Sequence, residues 1–93
     1  SIRELIDSAP EFEVTEAIKQ TALAQLGIID VNDLKARQHG PYIKVDLEIC
    51  VNPNMSLQES HTLAHQVADK IKENVKTVET VMVHVNPCTK EAC

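Results

Sequence analysis

The sequence predicts an α+β domain with its elements in the order α-β-β-α-β, a two-layer sandwich in which two helices cover one face of a three-stranded mixed sheet. Three observations lead there. The run YIKVDLEICV at 42–51 alternates strictly, with Ile43, Val45, Leu47, Ile49 and Val51 on one side and Tyr42, Lys44, Asp46, Glu48 and Cys50 on the other. Ser56-Leu57-Gln58-Glu59 has capping-box spacing and opens a stretch with an apolar stripe at helical period. The closing run VMVHVNP alternates again, Val81, Val83 and Val85 against Thr80, Met82, His84 and Asn86, until Pro87 forbids further ladder pairing.

In chain order, Ser8-Ala9-Pro10-Glu11 also shows the Ser-x-x-Glu spacing of a helix start. Val14, Ile18, Ala22 and Leu26, or Ala17 and Leu23 beside them, then recur at helical spacing up to Gly27, which gives a helix over 11–27. A strand follows over 31–38, with Leu34, Ala36 and Gln38 on one side and Asp33, Lys35 and Arg37 on the other, before turn chemistry at His39-Gly40-Pro41. The second helix runs from Leu57 to 75–77 on a stripe of Leu57, Ala64, Val67, Ala68, Ile71 and Val75, and the last strand occupies 79–86. The domain itself spans 11–87, with 1–10 as a juncture and 88–93 as a short tail.

Composition narrows the function. A chain of 93 residues with 43% hydrophobic content supports one modest core. One Phe, one Tyr and no Trp leave that core to aliphatic side chains and offer nucleic-acid bases no stacking platform. Fourteen acidic against nine basic residues give a net charge of −5, which repels phosphate backbones and tolerates divalent cations. Three cysteines cannot all pair within one chain, and with no secretory signal in view the expectation is free thiols in a reducing compartment. No Gly-rich phosphate loop or nucleophile motif is present, so an enzyme is not expected.

Two helices cover one face of such a sheet and leave the other bare. By strand parity the bare face carries Lys35 and Arg37, then Asp46 and Glu48, then His84 and Asn86, which takes His84 out of the core despite its valine neighbours. A parallel β-α-β unit sets Asp46 and His84 about 5 Å apart if their strands are adjacent, or roughly 10 Å apart if the first strand intervenes. Imidazole and carboxylate are ligands favoured by Zn²⁺ and accepted by Mn²⁺, Co²⁺ and Fe²⁺. At about 100° per residue, His61 falls roughly 60° from the middle of the second helix's stripe, at the border of the core, and His65 roughly 100° away. An i, i+4 histidine pair can hold a metal alone if both rings turn to the same side. Cys88 adds a soft candidate; Cys93 reads as a tail thiol and Cys50 as a small residue on the polar side.

The runs LIDSAPEFEVTEAI, VNDLKARQHGPYIKVDLEICVNPNMSLQESHTLAHQVADKI and VMVHVNPC together resemble the C-terminal cytoplasmic domain of cation diffusion facilitator transporters over nearly the whole chain. The specific parts are D-L-K-A-R-Q-x-G-P, S-H-x-x-A-H-x-V and V-x-V-H-V-N-P. The resemblance implies a metallochaperone-like (ferredoxin-like) fold and a V-shaped homodimer on the cytoplasmic side of a membrane. The dimer would lie beneath the protein's own transmembrane transport domain, with SIRELIDSAP as the juncture. It also implies divalent-metal binding, zinc first and manganese, iron, cobalt or cadmium among relatives, that draws the two arms together and favours export. By position the family's ligands fall on Asp46, His61 and His84; the match departs at Asn32, Asn86 and Cys88, which are weaker candidates, as are Glu48, His65 and Cys93, which the residues themselves and not the resemblance suggest. Some zinc-transporting members carry His at the position of Asn32 and Asp at that of Asn86, where amide oxygens are poorer zinc ligands. The rival readings are a metal-independent structural dimerisation module and a soluble metallochaperone, although the exposed Cys pair usual in the latter is lacking.

Overall fold

A computed structural model describes residues 8–89. Its elements are α1 (Phe12–Leu23), β1 (Asp30–His39), β2 (Tyr42–Val51), α2 (Leu57–Asn74) and β3 (Val78–Pro87), in the expected α-β-β-α-β order. The sheet has strand order β1-β2-β3, antiparallel between β1 and β2 and parallel between β2 and β3. The β1–β2 connection is tight: His39 pairs with Tyr42, and Gly40 turns the chain at φ 58°, a left-handed conformation that suits a residue without Cβ.

The alternation in β2 translates directly into packing. Ile43, Val45, Leu47, Ile49 and Val51 are buried on the helix side, each burial contributing about 1.5–3 kcal/mol. Ile18 and Ala22 of α1, Leu63, Val67 and Ile71 of α2, and Val78 close the core around them. Helix α1 packs over β1 and α2 over β3, so the apolar faces of both outer strands are only half-covered.

Helix α2 begins as its sequence requires. Ser56 Oγ accepts from the Glu59 backbone N–H at 3.0 Å, and Glu59 Oε1 accepts from the Ser56 N–H at 3.1 Å, a complete capping box. Hydrogen bonds to its carboxyl, first from the Ser56 backbone N–H and second from the Ser56 side chain, hold Glu59 below its ordinary pKa.

The start of α1 departs from expectation. Glu11, not Ser8, is its N-cap and makes no side-chain capping bond, while Ser8 bridges to Gln38 and extends the edge of β1. The extended chain at Ser8 takes it out of reach of the helix start. The helix also stops at Leu23 rather than at Gly27, and with the helical phase lost Leu26 is 92% exposed. Gly27 lies in the following turn at φ 102°, where an added Cβ would stand 3.1 Å from Leu63 Cδ2. Leu57, expected on the α2 stripe, is 86% exposed, and Leu63 supplies the buried contact instead.

Cys50 and Cys88 are joined by a disulfide, which corrects the expectation of free thiols at both positions and of Cys50 as a polar-side residue. The pairing has a local cause. Cys50 lies opposite Asn86 and Val51 opposite Pro87, so the chain leaving β3 is still alongside β2 when it reaches Cys88, whose N–H donates to Val51 O at 2.9 Å. Cys50 is thereby buried, and Cys88 is tied to the sheet. Cys93 lies outside the described residues.

Candidate metal centre

The pairing of the three strands turns the uncovered face into a grid. One rung carries Asp33, Glu48 and His84; the next carries Lys35, Asp46 and Met82; a third carries Arg37, Lys44 and Thr80. Acidic groups and the imidazole therefore gather toward one end of the face and basic groups toward the other. β2 and β3 are adjacent, which decides between the two strand orders left open by the sequence. Their register, however, sets Glu48 directly beside His84 and makes Asp46 a diagonal neighbour.

His84 and Asp46 are exposed, and Glu48 is half-buried. All three border a shallow depression of about 180 Å³ with Asp33, Lys35 and Leu47. Glu48 is held in place by Asn86, whose Nδ2 donates to Glu48 Oε1 at 2.8 Å. Asn86 thus positions a carboxylate through its amide nitrogen. Asp33 is in turn 3.9 Å from Lys35 on its own strand, an exposed pair of small energetic value. Asn32 is exposed at the irregularity between Val31 and Asp33, where the β1 register slips.

The remaining candidates lie elsewhere. His61, expected at the border of the core, is exposed like His65, and the two rings turn together: their Nε2 atoms are 3.1 Å apart. Their pocket, about 260 Å³ in volume, lies against Val81, Met82 and Val83 at the free edge of β3 and is distinct from the Asp46–His84 depression. Cys88 has its sulfur in the disulfide and offers no thiolate in this state. Among the described residues, no three His, Cys, Asp or Glu side chains converge closely enough to hold one ion. Three residues on one rung span about 10 Å across adjacent strands, so one chain presents ligand pairs, and a further ligand must come from water or a second copy.

Asp33 is the site residue that the sequence reading left off the bare face. Its parity with Lys35 is visible in the sequence, but its place beside Glu48 depends on the β1 irregularity.

A small mixed sheet with one uncovered face of carboxylates and imidazole defines a metallochaperone-like domain, and the comparisons narrow the class. The family model for the cation efflux protein, cytoplasmic domain, matches residues 10–88, and the chain belongs to that family. It is 32% identical over 87 residues to metal tolerance protein C1 of Arabidopsis thaliana, covering 94% of this chain and 18% of that protein. It is 25% identical over 91 residues to the manganese efflux system protein MneP of Bacillus subtilis, covering 98% of this chain and 31% of that one. The chain thus spans less than a third of either relative. Among solved structures it superposes on a nickel form of MamM CTD with a TM-score of 0.83 at 22% identity, covering 85% of this chain and 100% of that one. A cadmium form gives 0.82 at 22% identity, covering 84% and 98%. These likenesses establish the fold. Among the described residues, no helix is long and apolar enough to cross a membrane.

Proposed function

We propose that this domain is the regulatory, metal-sensing part of a divalent-cation transporter: it pairs as a homodimer on the cytoplasmic side of the membrane, binds metal between its bare sheet faces, and closes to promote export. The observation that carries this reading is the Asp33–Glu48–His84 rung on the uncovered face, with Asp46 beside it. Carboxylates gathered on two such faces repel when the faces approach, and a divalent cation held between pairs drawn from Asp46, Glu48 and His84 of the two copies cancels that repulsion while linking them. His61 completes such a site only from the second copy. The donors are oxygen and imidazole nitrogen, which suit zinc and also manganese, iron, cobalt and cadmium. The metal tolerance and manganese efflux proteins among its relatives, and the nickel and cadmium forms of its structural neighbour, support a divalent ion as ligand.

The switch has a definite energetic demand. Taking a closed form from about 1% to about 99% of the population requires the ion to prefer it by roughly 5.5 kcal/mol, which a few coordinate bonds made only in the closed pair can provide. Small-angle scattering with and without zinc tests the reading. A metal-free dimer that compacts on adding zinc, and fails to do so as Asp46→Ala or His84→Ala, is the expected result. A dimer indifferent to zinc would leave only a structural pairing module.

A further inference from the structure

The geometry points to a second metal site within one chain, a two-imidazole chelate formed by His61 and His65 on α2 for a late first-row divalent ion such as nickel or zinc. The two residues are one helical turn apart, which brings their side chains to the same side of the helix. Their rings stand edge to face, 77° between planes with centroids 4.6 Å apart, and their Nε2 atoms meet at hydrogen-bonding distance.

The 3.1 Å between the two Nε2 atoms fits a shared ion. With metal–nitrogen bonds of about 2.05 Å, that separation corresponds to an N–metal–N angle of about 100°, close to tetrahedral. In that contact one ring donates its Nε2–H to the other, and moving that proton to Nδ1 leaves both rings presenting an Nε2 lone pair, a tautomer change with no net proton loss.

The surroundings suit an ion as well as its ligands do. Ala64 and Ala68 line the same pocket and leave room for coordinated water, while the Met82 thioether borders it from β3. Imidazole donors with a soft sulfur nearby favour nickel, copper or zinc over manganese, magnesium or calcium. The scaffold is firm, because α2 is closed by its capping box at one end and anchored by buried Leu63, Val67 and Ile71 along its length. The site gives His61 a partner in its own chain. It rests on the metal-binding reading for the kind of ligand, but not on the Asp46–His84 face.

Nickel titration of four proteins separates the two sites: the parent chain, His65→Ala, Asp46→Ala/His84→Ala, and the triple variant. All three substituted positions are exposed, so unchanged far-UV circular dichroism serves as the control on folding. The expected result is that the sheet-face double variant still binds one ion per chain, and that adding His65→Ala removes it. Nitrogen-15 spectra with diamagnetic zinc should show Nε2 of both His61 and His65 as metal-bound nitrogen and Nδ1 of both as N–H. Unchanged nickel binding on adding His65→Ala, or metal-bound nitrogen in one ring alone, overturns this inference. If instead the sheet-face double variant loses nothing and His65→Ala loses the ion, the chelate stands and the sheet-face reading falls.

Discussion

The two sides of β2 are made by the same ten residues and obey different rules. On the helix side, Ile43, Val45, Leu47 and Ile49 are 0–4% exposed, and their neighbours could be exchanged for others of similar volume without altering what the layer does. On the other side, Lys44 and Asp46 meet solvent, and their meaning depends on which residues of β1 and β3 stand beside them. Burial is a one-dimensional property of the strand, whereas a ligand set is a property of the pairing. A slip of two residues between β2 and β3 would keep every apolar side chain facing inward while dismantling the Glu48–His84 pair.

That contrast can be broken most forcefully from the inside. Leu47→Ala should cost about 2–5 kcal/mol through lost burial and the cavity left behind, read as a fall in the urea midpoint, whereas Asp46→Ala on the opposite face should stay within about 0.5 kcal/mol. Equal losses at the two positions would mean that the bare face is covered in solution.

The disulfide gives a test of intermediate size, because it fastens the far end of the uncovered face to the core strand. Under oxidising conditions Cys88→Ser should lower stability by about 2–4 kcal/mol. A thiol titration of the oxidised parent chain should find Cys93 alone reactive, and all three cysteines after reduction. A cytosolic redox poise holds such pairs as thiols, so Cys88 becomes available as a soft ligand only in that reduced form.

The smallest effect is expected at the helix start that supports both histidines of α2. Because the Glu59 carboxyl titrates below its ordinary range when folded, its contribution is complete above the unfolded-state pKa and is lost as pH falls through the folded one. Glu59→Gln should therefore make stability slightly less dependent on acid pH, visible as a flatter plot of melting temperature against pH below neutrality.

These differences also explain what could be read from the sequence. The strict alternation of YIKVDLEICV and the Ser56–Glu59 box are local signals, and both appear in the structure. The placement of Asp46 and His84 on the uncovered face follows from parity alone. Their diagonal relation does not, because register is set by packing between elements far apart in the chain. Cys50 escaped for a related reason: parity puts it on the polar side, and only the path of the chain beyond Pro87 buries it against Cys88. Ser8-Ala9-Pro10-Glu11 carries the same residue spacing as the α2 start, yet the chain there pairs with Gln38 instead, so spacing alone did not decide the cap.

The lengthwise separation of charge on the uncovered face, Asp33, Glu48 and His84 toward one end and Arg37 and Lys44 toward the other, works as a polarity key for any two copies that meet there. Stacked in opposite senses, each copy would set anions over cations and adhere without help. Stacked in the same sense, like charges would face one another, and that arrangement would persist only while counter-ions fill the gap, which makes orientation itself the quantity that ionic conditions select.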